Sequence, residues 1–260
     1  MKKAILFLCV VLAVNGVIAQ DSLVRHYWTS GTANNLPAKR MELALFTTSG
    51  YGISNKVELS LHPLMFFVMP QVSVKIGWGK VSKFTFATEH GILYPTMFMR
   101  LVSTSGTGGL ISPEFTIPQM VAIYNRLLVS MPPFSNGLLT AHAGIALSIK
   151  SGPLDPRTTI DLPVIYPLFA VFYSQPEFDA GIELRGKLVK TFGWIVNVEN
   201  FIVCGTEQNY FMENKGVLTY TSIKNKFHLE AGYKLCFGQY PAGPQWHLLP
   251  VVDLAFCFGK

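Results

Sequence analysis

Phe227-His228-Leu229-Glu230-Ala231-Gly232-Tyr233-Lys234-Leu235-Cys236-Phe237-Gly238 is the stretch whose pattern decides the fold. Phe227, Leu229, Ala231, Tyr233, Leu235 and Phe237 fall on one parity; His228, Glu230, Lys234 and Cys236 fall on the other. Successive side chains of a strand point to opposite faces, so this period of two marks a strand with one apolar and one polar side. A helix would scatter both sets around its axis.

The same alternation recurs outward from this stretch. In 139–150, Leu139, Ala141, Ala143, Ile145, Leu147 and Ile149 alternate with Thr140, His142, Gly144, Ala146, Ser148 and Lys150. In 178–188, Ile182, Leu184 and Leu188 oppose Asp179, Glu183, Arg185 and Lys187. Val57, Leu59 and Leu61 oppose Glu58, Ser60 and His62; Val72, Val74, Ile76 and Trp78 oppose Gln71, Ser73 and Lys75. The pattern predicts strands at 41–48, 55–63, 70–79, 82–88, 121–131, 138–150, 164–174, 178–190, 192–204, 216–223, 227–238 and 247–259. That is twelve, with 92–103 as a further candidate and a helical alternative for 121–131. The longest reach the ~9–11 residues of a tilted membrane strand.

Composition narrows the setting. Of 260 residues, 50% are hydrophobic and only 14% charged, against roughly 25% charged in an ordinary soluble domain. After the N-terminus no apolar run approaches the ~20 residues of a membrane-crossing helix; Pro63 to Pro70 is the longest candidate. A closed barrel is then the structure that satisfies its backbone inside lipid. A soluble secreted β-protein is the rival, with apolar faces inward instead. Three features favour the membrane: polar faces rich in His, Gly, Ser and paired opposite charges, aromatic residues near predicted strand ends, and the amphipathic terminal segment Val252 to Phe258.

Met1-Lys2-Lys3, the apolar Ala4 to Val14 and the small-residue site Val17-Ile18-Ala19 read as a signal peptide spanning 1–19. Its removal lowers the formal charge from +6 to +4. Residues 20–40 form a polar N-terminal extension, and 41–260 a single β-barrel domain. Cys204, Cys236 and Cys257 remain, an odd number with no zinc spacing, so at least one thiol is free.

Val252-Asp253-Leu254-Ala255-Phe256-Cys257-Phe258 resembles the C-terminal strand of bacterial outer-membrane proteins, although Gly259 and Lys260 follow the terminal aromatic residue. Glu42 to Phe46 with Tyr51 to Leu59 resembles the opening hairpin of poorly characterised outer-membrane barrels loosely grouped with transporters. The resemblance implies the outer membrane as location, with its lipid and the barrel assembly machinery as partners. It transfers no functional residue.

The polar faces supply the candidate lumen lining: Glu58, His62, Lys75, His142, Glu183, Arg185, Lys187, His228, Glu230, Lys234 and Asp253. Charges on neighbouring strands could simply neutralise one another, or they could select what enters. On the basic surplus of the chain, weak anion preference is the expectation. The leading function is porin-like passage of small solutes. The alternatives are a non-conducting structural or assembly component and, further off, a barrel enzyme. His142 and Ser148 lie ~20 Å apart along one strand face, and no Gly-x-Ser-x-Gly or His-Glu-x-x-His motif is present. No catalytic residue, metal or cofactor is expected. Lysines and arginines are dispersed among the strands, against a nucleic-acid partner.

Overall fold

The structure is a computed structural model that describes residues 28–106, 109–207 and 209–259; the expected signal peptide and residues 20–27 lie outside the described residues. Twelve antiparallel strands close into one barrel, each paired with its chain neighbours and the last with the first. They are β1 (Met41–Ala44), β2 (Ser49–Ser54), β3 (Val57–Leu61), β4 (Gln71–Val81), β5 (Phe84–Leu93), β6 (Met120–Met131), β7 (Gly137–Lys150), β8 (Glu177–Lys187), β9 (Phe192–Val203), β10 (Tyr210–Thr221), β11 (Phe227–Tyr240) and β12 (Gly243–Phe258). Among the described residues two α-helices sit in loops: α1 (Thr96–Val102) and α2 (Tyr166–Tyr173).

The parity seen in the sequence assigns the faces. Ile182, Leu218 and Leu248 point outward and are 58%, 63% and 68% exposed, while Glu58, Asp179, Glu213 and Glu230 are buried inside. An apolar exterior around a polar interior is the inverse of a soluble barrel, and it is the arrangement that lipid requires. This is a transmembrane β-barrel.

The rims differ. Turns of two to five residues (55–56, 82–83, 132–136, 188–191 and 222–226) share one rim with the start of β1 and the end of β12. The opposite rim carries two 26-residue connections, 94–119 and 151–176, holding α1 and α2.

The expected count of twelve is right, but one expected strand is a helix and one observed strand was not expected. Residues 164–174 form α2 rather than a strand. Tyr166-Pro167-Leu168-Phe169-Ala170-Val171-Phe172-Tyr173 is apolar all round because it is packed on every side, and a continuous apolar run has no period to read. Pro167 is tolerated because it lies in the first helical turn. The segment 41–48 instead ends at Ala44, and Ser49–Ser54 supplies the missing strand. Residues 96–102 are helical and 120–131 are a strand. Also, β10 begins at Tyr210, ahead of the predicted strand 216–223.

Candidate functional site

The lumen is built in three layers, beginning at the short-turn rim. There the chain from Trp28 to Leu36 runs through the barrel interior instead of outside it. Its bonds reach around the whole wall. Arg185 of β8 donates to the carbonyls of Trp28 (2.7 Å) and Ser30. The Ala33 N–H donates to Ser130 Oγ of β6 at 2.9 Å, and the Leu36 N–H to Glu58 of β3 at 2.9 Å. Thr29 N–H donates to Glu42 of β1 at 3.1 Å. Lys75 Nζ of β4 reaches the carbonyls of Thr29 and Thr32, both at 3.3 Å. Trp28 rests against the His228 ring of β11, centroids 5.0 Å apart. An irregular segment inside a barrel leaves backbone groups that need partners, and the lumen side chains provide them.

The far layer is apolar. Phe169, Val171 and Phe172 of α2 pack with Met99 of α1, Met69 and inward residues of β6 and β7. Tyr166 and Ala170 pack against Phe201, Val203, Phe211 and Tyr240 of β9 to β11. The last carbonyls of α2 lack partners within the helix. Ser148 and Lys150 of β7 take them, at 2.8 Å to Val171 O and 2.7 Å to Phe172 O.

Between the two closures lies a cavity of about 800 Å³. Its wall holds five ion pairs: Lys75–Glu58 (3.1 Å), Arg126–Asp179 (2.8 Å), Arg185–Glu183, Lys215–Glu230 (3.3 Å) and Lys234–Glu213 (2.6 Å). Each lysine or arginine of the lining is used in these pairs. Five further carboxylates line the same cavity: Glu42, Glu89, Glu177, Glu199 and Asp253. Glu42 is held by Thr29 and Arg40. Glu89 accepts from Ser73 at 2.7 Å and Tyr124 at 3.2 Å. Asp253 accepts from the N–H groups of Leu45 and Phe46. Glu177 is buried with Oε2 lacking a hydrogen-bond partner, and Glu199 faces His142 at 3.9 Å.

The lining therefore holds ten carboxyl groups against five lysines and arginines, although the chain as a whole is basic.

Of the sequence candidates, Glu58, Lys75, Glu183, Arg185, His228, Glu230, Lys234 and Asp253 stand together on the cavity wall, with His62 at its loop side. His142 points inward, 3.7 Å from Asp179. Lys187 lies at the short-turn end of β8, beside the recess next to Trp28. Parity reasoning on the strongest segments missed Glu42, Glu89, Arg126, Glu177, Glu199, Glu213 and Lys215. Glu213 and Lys215 lie just before the predicted strand 216–223, whereas Glu199 was legible from its opposite phase to Val196, Val198 and Ile202. Cys204, Cys236 and Cys257 are free thiols.

No protein-family profile and no curated protein matches this chain. Among solved structures it is similar to OccK1 (OpdK) of Pseudomonas aeruginosa, with 8% identity over 84% of this chain and 56% of that one and a TM-score of 0.41. The outer-membrane channel DcaP of Acinetobacter baumannii matches at 9% identity over 82% and 62%, with a TM-score of 0.39. OccK8 (OprE) of Pseudomonas aeruginosa matches at 9% over 87% and 61%, also with a TM-score of 0.39. The chain thus spans a little over half the length of these structures. The reading of the lumen rests on its own geometry.

Proposed function

We propose that the protein is an outer-membrane channel for small solutes, in which the cavity between the two closures is a binding compartment. The cavity itself carries this reading. A barrel serving only as a structural plug gains nothing from about 800 Å³ of space lined by ion pairs and unpaired carboxylates; burying charge without full pairing is unfavourable. The leading peptide features of export, and the turn and loop asymmetry of the two rims, support the outer membrane.

The Trp28–Leu36 segment and α2 both lie across the lumen, so passage along the axis requires that one of them move. The Trp28–Leu36 segment is the better candidate, because hydrogen bonds to side chains hold it, whereas the far closure is an apolar core. The carboxylate surplus favours cationic or neutral polar solutes over anions. The lumen carboxylates act in this reading as solute contacts, not as catalysts.

Planar-bilayer recording of the purified protein tests the reading. Discrete openings, rare in the native chain and frequent when Arg185 is replaced, are expected. A barrel that never opens in either form would instead be a non-conducting structural component.

A further inference from the structure

The wall of this barrel is uneven. Strands β4 to β12 run for 10 to 16 residues, whereas β1, β2 and β3 have four, six and five. The difference matters where the barrel closes. β12 pairs with β11 from Tyr240↔Gly243 to Phe227↔Phe256, but with β1 only from Met41↔Phe258 to Ala44↔Ala255. One more bond follows, Leu45 N–H to Leu254 O at 3.0 Å. There Asp253 takes the Leu45 and Phe46 N–H groups and turns the chain away. From Gly243 to Val252 the β1-facing edge of β12 has no strand partner among the described residues.

Two observations give that edge a use. The cavity emerges beside it: Leu249 and Val251 line the space from β12, and Phe46, His62 and Met65 line it from the loops opposite. Both outer flanks are apolar and exposed, with Trp246 and Leu248 on one side and Leu64 and Phe67 on the other. The sequence carries the same mark. Pro250 lies inside β12, and proline within a sheet is confined to edges, where no ladder bond is lost.

A closed barrel removes strand edges, and lipid cannot hydrogen-bond an exposed one. The free edge therefore needs either water from the lumen or a polar group brought by an occupant. Its surroundings are graded to suit a molecule with two ends. Leu168, Val171, Leu249 and Val251 line the apolar part of the cavity, and the ion pairs lie beyond them.

We propose that the gap between Gly243–Val252 and the 45–48 and 62–67 loops is a lateral portal joining the lumen to the surrounding bilayer. Its occupant is a single-chain amphiphile dissolved in that bilayer. The apolar chain lies across Leu249 and Val251, and the polar head enters the charged lumen. This rests on the reading of the barrel as a membrane-embedded solute channel, and adds a route from the side to the route along the axis.

Site-specific quenching tests the portal in the full-length protein in phospholipid vesicles. Single cysteines replace Val251 or Leu249 (inward, at the gap), Val252 (outward) or Thr219 (inward, behind continuous wall), with Cys204, Cys236 and Cys257 changed to alanine. Each variant carries a bimane label and is used only if its unboiled gel band still shifts on heating. Phospholipid bearing a nitroxide on its acyl chain should quench the 251 and 249 probes to the same extent as the 252 probe, and leave the 219 probe unchanged. Quenching of 251 and 249 by aqueous iodide alone would place the opening in water and overturn the portal. Protection from both quenchers would show a sealed wall and overturn it equally. Conductance of the unlabelled protein is recorded in parallel, so that a channel without a portal is distinguished from a barrel with neither.

Discussion

Arg185 on β8 and Trp28 at the head of the lumen segment are joined through one bond, Nη1 to the Trp28 carbonyl at 2.7 Å, across 157 residues of chain. The same guanidinium holds Ser30 O and pairs with Glu183. One side chain thus ties the entry of the segment to the barrel wall.

Replacing Arg185 with glutamine removes charged hydrogen bonds of roughly 1.5–3 kcal/mol each. The segment should loosen while the barrel stays closed. Channel openings should become several-fold more frequent in bilayer recordings, with no change in the heat-shifted gel band. Unchanged gating would show that the segment is held by its other contacts or is not the gate.

Asp253 holds the start of the turn between β1 and β2 through three donors: the N–H groups of Leu45 (3.2 Å) and Phe46 (2.8 Å), and the Thr47 hydroxyl. Asp253→Ala leaves the Phe46 N–H and the Thr47 hydroxyl without this acceptor, beside the short four-pair ladder of β1 and β12. A loss of about 2–4 kcal/mol is expected, read as a lower temperature at which the compact band converts to the unfolded one. A substitution at exposed Lys224 should leave that temperature unchanged.

Glu177 and Glu199 line the cavity without a lysine or arginine partner. The double change to glutamine keeps shape and removes two ionisable carboxyl groups from the lining. The cation-to-anion permeability ratio, from the reversal potential in a salt gradient, should fall. A ratio unmoved by both changes would separate the carboxylates from selectivity.

His62, in the loop after β3, is held below its ordinary pKa of 6.5, chiefly by burial; Asp253 opposes the shift and Lys234 adds to it. The neutral ring also fits the geometry, because Nδ1 accepts the Met65 N–H at 3.2 Å. The folded state binds this proton less readily than the unfolded chain. The His62 contribution is therefore complete above about pH 6.5 and is lost as pH falls through the lowered folded value. An NMR titration should give a midpoint below 6.5, with amide exchange in 62–70 rising in acid. A midpoint at or above 6.5 would contradict the burial of this ring.

Gly91 lies beneath Tyr124: a Cβ there would sit 2.1 Å from the Tyr124 ring. Tyr124 lines the cavity and bonds to Glu89. Gly91→Ala should displace the ring into the cavity and reduce single-channel current, while Gly152→Ala, where a Cβ meets only Pro118 at 3.9 Å, should leave current unaltered.

Alternation alone carried the barrel. In Phe227–Gly238 or Leu139–Lys150 each side chain belongs to one of two faces, so one line of sequence specifies strand, parity and, given the scarcity of charge, which face meets lipid. Glu58, Arg185 and Glu230 were legible as inward for that reason. Three things were not legible, because they depend on chain segments distant in sequence. Tyr166–Tyr173 has no period, and only its packing between α1 and the strand ends makes it a helix. Trp28–Leu36 reads as a polar tail, and its place in the lumen comes from donors and acceptors on five different strands. The carboxyl surplus of the cavity follows from which side chains the closed wall gathers inside, which the net charge of the chain does not show. Local periodicity is a property of neighbouring residues; closure, plugging and the field inside the lumen arise only when strands far apart in sequence are brought into register.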